Sequence, residues 1–560
     1  MIVEKENKPV KFLKKYWIIL VVLVLAIGGG VSSVEIYKEE VLNIDPDIQY
    51  EQQKTLYFAA ESMDTLNPLS SQSEDTYYLS KLIYEGLFAF DENLSAVPQL
   101  VKDYSVDTQR AMIKITLRNG VTWHDGNSLK AEDVRFTVNA IKAAGRTSPY
   151  YDKASKIVSV NVLGARELAI YFRNNYNCSL DDLTFPIVPS SQYASAYQFA
   201  RATDFKPIGT GKYKFKSYDS LKQLKLSAYK KYYGTKAQNK IEVTIVPDKS
   251  LENNLMDIGS VTCYTDDSAS RKSIATDKNY SMYDLTSNHV DFMVFNTKNQ
   301  IFRAKEIRQA LAYGINEQKI LENAYMGDGV RSDTIYYPNF LGVADEGDAY
   351  TYDFEKARTL LEMQGIKDID EDGTLENSSR QKVTLKLLVD KSNSTRYAAA
   401  RMIEKNLESL GFKVNLTALK KKDFQTAVKK RDFDLLVVGY TMNESYDLRS
   451  FFNGKNEWRY TNSTLLQKVS ELERMHTEEE YQKIYKELKT MLSDELPYYP
   501  LCYRKMSLIG IETFQAEMLP MFNNIYYGCD TWSWSKVIDE SADTETSQAE
   551  TVSSTTEKEQ

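Results

Sequence analysis

Several things are scarce in this 560-residue chain, and each scarcity removes a class of function. There are four cysteines, Cys178, Cys263, Cys502 and Cys529, and no two are close enough for a CxxC pair. Zinc knuckles and thioredoxin-like chemistry are thereby excluded, and four thiols in so long a chain cannot form a disulfide scaffold. Buried free thiols are expected, with Cys502–Cys529 the one bridge to consider. The three histidines, His124, His289 and His476, stand alone, without HExxH, HxH or HxxxH spacing, so local sequence offers no histidine metal site. A nucleophile elbow, a phosphate loop and a GxGxxG turn are all missing, which leaves those enzyme classes without their motif. Basic excess is missing too: the net charge is −8 and the pI about 5.4, which argues against nucleic acid as a partner. The abundant residue is tyrosine, 39 against 22 Phe and 5 Trp. Its apolar face and polar tip suit both half-buried strands and wet binding surfaces.

The N-terminus sets the compartment. Residues 1–15 carry five lysines, and 16–34 ("YWIILVVLVLAIGGGVSSV") carry no charge. That length just reaches a bilayer span, and lysines before it with Glu35, Glu39 and Glu40 after it place the body outside the cell. Whether 16–34 stays as an anchor or is cleaved as a signal segment is left open, since Val31 and Ser33 resemble a cleavage site. Residues 35–52 read as a polar spacer and 539–560 as a disordered acidic tail. The folded body is then about 53–538.

Within that body, period-two alternation predicts strands at 54–60, 111–118, 167–172, 212–218, 224–229 and 240–246. Period-3.6 patterns predict helices at 131–144, 304–315, 354–365, 394–411 and 478–495. Strand 383–389, the 394–411 helix closed by Gly411, and strand 412–419 form a βαβ unit, and a further strand follows at 433–440. The class is mixed α/β with no repeat. One loop, "DIDEDGTLENSS" (368–379), has Asp368, Asp370 and Asp372 at positions 1, 3 and 5 and Gly373 at 6, as calcium loops do. Position 12 is Ser379 instead of Glu, so an acidic surface turn is the better account. No metal or cofactor is expected.

The stretch "LRNGVTWHDGNSLKAEDVRFTVNAI" (117–141) puts a Trp and a His side by side in a polar turn. It reads as architecture. Asp125-Gly126 supplies the turn, Trp123 covers a strand, Asp133 opens a helix, and His124 is a surface turn residue. Arg118, Gly120, Trp123, Asp125, Gly126, Ala131, Asp133 and Val134 together resemble a segment of the family 5 extracellular solute-binding proteins. "ESMDTLNPLSSQSEDTYYLSKLIYEGLFAFDEN" (61–93), "PIGTGKYKF" (207–215), "VFNTKNQIFRAKEIRQALAYGINEQKI" (294–320) and "ELPYYPLCYRKMSLIG" extend the resemblance over most of the body.

The resemblance implies a two-lobed flytrap with an additional inserted domain. Lobe one combines 53–90, 207–285 and 505–538, the insertion is 91–206, and lobe two is 286–504. It implies a non-catalytic, monomeric subunit that captures short peptides between its lobes and delivers them to the permease subunits of an ABC importer, tethered to the membrane by its N-terminal helix. Tyr440 stands where peptide-binding members carry a Trp. Asn443 stands nearest the Asp that holds a ligand's α-amino group, and Glu444 or Asp447 could replace that Asp. Asp447 also reads as the cap of a helix. Thr441 neighbours these positions, Trp458 and Tyr460 are aromatic candidates for the cleft wall, and Asn67 with Pro68 lies near the cleft. Arg308 reads as helix surface or structural ion pair. The alternatives are the same fold binding a nickel chelate, a sugar or an opine, and a membrane-tethered sensor.

Overall fold

In "KIEVTIV" the alternation turns Ile241 and Val243 inward, and the strand Lys240–Val246 forms where the pattern places it. It runs parallel to Thr55–Glu61 and antiparallel to Gln223–Ala228, which pairs with Tyr213–Asp219. The computed structural model describes residues 49–538 except 174–178, 203–204, 269, 346–349 and 475–476. The membrane or signal segment 16–34, the acidic tail, Cys178 and His476 lie outside the described residues. No helix among the described residues is long and apolar enough to cross a membrane.

The chain divides into two compact units. In the smaller, Gln49–Gln53 pairs antiparallel with Trp534–Ile538. The first strand includes the end of the expected spacer, and the second had been expected in lobe one.

The larger unit, Thr55–Trp532, contains three principal sheets. The first is the four-stranded sheet above. The second comes from the stretch read as an insertion: Met112–Leu117 lies between Val101–Asp107 and Glu167–Phe172, with Ile157–Val162 at the edge. Helix Ala131–Ala144 lies against that edge strand. The third has six strands in the order Cys263–Asp266, Tyr498–Gly510, Ser281–Phe295, Leu435–Thr441, Thr384–Asp390 and Lys413–Leu419, plus Gly329–Val330 paired to Tyr498–Gly510.

The expected βαβ unit is present. Thr384–Asp390 and Lys413–Leu419 are parallel, joined by helix Ser394–Ser409, whose N-cap Asn393 accepts from Arg396 N at 2.9 Å. Gly411, at φ +102°, makes the left-handed exit that a side chain would strain. The sheet is covered on both faces. Leu385, Leu387 and Val389 pack with Ile307, Leu311 and Ile403 on one side, and Leu388 and Leu436 pack with Leu465, Leu488 and Tyr498 on the other. Ser281–Phe295 and Tyr498–Gly510 are unusually long, and the lobe limits expected at 285/286 and 504/505 fall inside them as unbroken strand.

Cys263, Cys502 and Cys529 are buried free thiols, so the Cys502–Cys529 bridge does not form. Arg308 is buried instead of lying on the helix surface. It donates to the carbonyls of Phe302 at 2.7 Å and Glu495 and Leu496 at 3.0 and 3.2 Å, and it pairs with the Glu495 carboxylate.

Candidate ligand-binding cleft

The Trp123-His124 turn is structural, though not in the way expected of His124. Trp123 is buried and its indole donates to Asp133 Oδ2 at 3.3 Å. Asp133 also accepts from Lys130 N at 2.9 Å and from Ser190 N and Oγ at 2.8 and 2.6 Å, locking the helix start to a distant loop. His124 is 4% exposed, because the 209–211 segment covers it. Its Nε2 lies 2.9 Å from the Gly211 carbonyl, and Nδ1 accepts from Gly209 N at 3.3 Å. Burial pushes its pKa down to about 4, so the ring is neutral.

Three cavities lie close to one another in the larger unit. One, of about 120 Å³, is lined by helix Glu74–Ile83, the 84–90 segment, Tyr150, Thr184, Glu444 and the 521–527 turn. Lys81, Gln99, Asn524 and Tyr527 also line a second cavity beside it. On the far side of the 444–447 loop a third is lined by Lys156, Asp181, Asp182, Ser445, Asp447, Arg449 and Glu473. In the first cavity, two polar atoms that are themselves buried lack a hydrogen-bond partner: Asn523 Oδ1 and Asn524 Oδ1. A buried unpaired oxygen costs about 1–3 kcal/mol, so these atoms mark a place shaped for a polar guest.

Charge in this cavity comes from three parts of the chain. Glu444 lies 3.6 Å from Lys81 Nζ and 3.7 Å from Lys153 Nζ, at 25% side-chain exposure. Lys81 donates to Tyr77 Oη at 2.8 Å and the Asn523 carbonyl at 2.6 Å, and Lys153 to Thr184 Oγ1 at 2.7 Å. Burial pushes the Glu444 carboxyl up to about 8 and both ammoniums down. The two ammoniums disfavour charge on each other, and Lys153 adds to the lowering at Lys81. Each Glu444 oxygen faces one ammonium, Oε1 toward Lys81 and Oε2 toward Lys153, and two cations against one anion leave the cluster short of negative charge.

Beyond the loop, Asp447 is held by Arg449, whose Nε donates at 2.8 Å and whose backbone N donates at 3.0 Å at the start of helix Arg449–Phe452, where the N-cap position itself is Leu448 and not Asp447. Burial works against its ionisation, but Arg449 holds the carboxyl down to about 2. Glu473, 2.9 Å from the same guanidinium, is pushed up to about 10 by burial and then by Asp447. The pair therefore shares one proton, and Asp447 is committed to Arg449.

The remaining expected site residues are spread out. Trp458 is 4% exposed, donates to Tyr498 Oη at 3.0 Å and packs edge-on against Phe292, so it belongs to the core. Tyr460 is buried beside Tyr498. Asn67 is fully buried, its amide donating to the Phe199 carbonyl and its oxygen accepting from Leu69 N. Tyr440 is 40% exposed against Phe451, Thr441 bonds His289, and Asn443 is exposed with Ser445 as its partner. Of the expected residues, only Glu444 and Asp447 line the cavities just described. Lys81, Lys153, Tyr84, Asn523 and Asn524 were missed, and no pattern within their own segments singles them out.

Residues 95–459 match the family described as bacterial extracellular solute-binding proteins, family 5. That match spans more than half of the chain. It belongs to this family. The solute-binding protein is 27% identical over 347 residues to the dipeptide-binding protein of Escherichia coli (strain K12), covering 56% of this chain and 64% of that one. It is 23% identical over 467 residues to the oligopeptide-binding protein AppA of Bacillus subtilis (strain 168), covering 78% and 83%. The solved structure of a nickel ABC transporter from Bacillus halodurans superposes with a TM-score of 0.71 at 15% identity, covering 86% of this chain and all of that one. At that identity the likeness establishes the fold, a two-lobed α/β binding protein.

Proposed function

We propose that this chain is the extracellular substrate-binding subunit of an ABC importer, with short peptides as its solute. The observation that carries the reading is Glu444, set in a cavity with unpartnered buried oxygens on Asn523 and Asn524. An α-ammonium needs a carboxylate when it leaves water, and Glu444 supplies it where Asn443 does not. Lys81 and Lys153 supply the complementary charge for a carboxylate or carbonyl of the same guest. The neighbouring cavities, sharing Lys81 and Asn524, leave room for an extended chain. Among the described residues, no histidine lines these three cavities, which favours peptides over a nickel chelate. Closure of the lobes around the guest presents the face a permease reads, and the guest must bind the closed form more tightly to drive it. The reading includes an anchor at 16–34, a monomer and no covalent chemistry.

Native mass spectrometry of the purified full chain tests the class: a ladder of short-peptide masses is expected, and one discrete non-peptide mass sinks the reading. Calorimetry with trialanine tests the residue. Acetylating its N-terminus weakens binding by about tenfold or more, since burying or losing an unpaired charge costs above 1.4 kcal/mol. Glu444→Gln erases that difference. Equal binding of both peptides to the unaltered protein would show that Glu444 does not hold the amine.

A further inference from the structure

The acidic turn at 368–376 leads into strand Thr384–Asp390 as expected, yet it contains more than a turn requires. Asp368, Asp370, Asp372 and Glu376 bring one carboxylate oxygen each to within 4.8 Å of one another. Glu376, the ninth residue counted from Asp368, is only 3% exposed. Its Oε2 accepts from Ile369 N at 2.8 Å, while its Oε1 is buried with no hydrogen-bond partner. Bridges from Glu376 to Lys367 and Lys382, and the neighbouring Leu375 buried in the core beneath, fix the residue in place. The carboxylate is therefore held, half-satisfied, against three further acids. In the absence of a cation this is an expensive arrangement.

We infer that the 368–376 loop binds one calcium ion, with Glu376 at position 9 doing the work that a Glu at position 12 does elsewhere. The donors are all oxygen, with no imidazole or thiolate, which suits a hard cation. Calcium–oxygen distances of about 2.3–2.6 Å place ligands on opposite sides of the ion about 4.6–5.2 Å apart, so four oxygens all within 4.8 Å of one another can share one ion. Magnesium demands near-ideal octahedral geometry and keeps several waters, which a cage of four carboxylates suits less well. Asp368 already accepts from Asp372 N and Gly373 N at 3.1 and 2.8 Å, so the loop is wrapped before an ion arrives. Lys382 pairs with Asp372 Oδ2 at the exposed rim. Such a surface pair is weak and yields to a divalent ion. Three exposed or half-exposed ligands without a bidentate Glu place the affinity in the range of about 10⁻⁴–10⁻³ M typical of extracellular modules.

The test is calorimetry of the EDTA-treated full chain with calcium chloride, alongside thermal melts with and without calcium. One ion per chain and a raised melting temperature are expected, with Asp370→Asn and Glu376→Gln each weakening binding by about tenfold or more. Asp370 is exposed, so its variant folds even where the Glu376 variant does not. No binding up to about 10 mM calcium, well beyond that affinity range, overturns the site. So does calcium binding that Asp370→Asn leaves unchanged, or magnesium chloride alone raising the melting temperature as much as calcium does.

Discussion

Replacing His124 with Gln removes one titrating group from the interior while leaving an amide to take over the bond to the Gly211 carbonyl. In the native fold the ring donates through Nε2 and accepts from Gly209 N through Nδ1, an arrangement that requires the neutral ring. Burial holds its pKa down to about 4, against 6.5 for a free histidine. Below pH 6.5 the unfolded chain takes up the proton first. The contribution is therefore intact above 6.5 and is lost progressively as pH falls toward 4. Across that window, at about 1.4 kcal/mol per pH unit, the loss is about 3 kcal/mol. Urea unfolding of both proteins between about pH 7 and about pH 4 measures it. At neutral pH the variant is the less stable, by about 1 kcal/mol, having lost the edge contact with Tyr229. On acidification the natural protein loses about 3 kcal/mol more than the variant. Parallel stability curves would refute the reasoning, since they would mean that His124 titrates alike in both states.

Other outcomes follow from the packing. Trp458→Ala costs about 3–5 kcal/mol as a core truncation, read by urea unfolding, and leaves the mass-spectrometric ligand pattern of the folded protein unchanged. A lost ligand with unchanged stability would return Trp458 to the cleft wall. At Gly209 an added Cβ would meet the Ile83 carbonyl oxygen at 1.8 Å, and both partners are backbone. Gly209→Ala therefore costs about 4 kcal/mol or more, and a soluble variant melting within a few degrees of the natural protein would show that the segment can move aside.

The secondary structure was legible because its signal is local. Lys240–Val246, Glu167–Phe172, Ala131–Ala144 and Glu478–Glu495 form over the ranges their periodicity indicates. The cleft was legible only in part, because its residues meet from segments hundreds of positions apart. Nothing in "YYLSKLIYEG" marks Lys81 as a partner of Glu444, and nothing near Asn523 says that its oxygen will be buried and unpaired. The errors share that cause. "KNEWRYTNS" looks like a wet surface, but its polar residues flank two rings turned inward onto Tyr498. His124 sits in a polar turn whose cover, the 209–211 segment, lies 85 residues away. Glu376 escapes the loop pattern because that pattern places its acid at position 12, whereas the fold buries one at position 9.

Ser281–Phe295 and Tyr498–Gly510 pair with each other along most of their length, their register slipping between Thr286 and Val290 and again between Asp291 and Phe292. The slips fall beside the lobe limits read from sequence. Where register slips, a ladder is short of hydrogen bonds and bends most easily, so the protein has a crease at a fixed place in an otherwise continuous ribbon. A hinge made of two bonded strands has one easy axis and resists twist and shear, whereas a hinge of loops would allow all three. The same ribbon carries load. Because Ser281–Phe295 and Tyr498–Gly510 run unbroken past those limits, melting on one side of them pulls on strands built into the other.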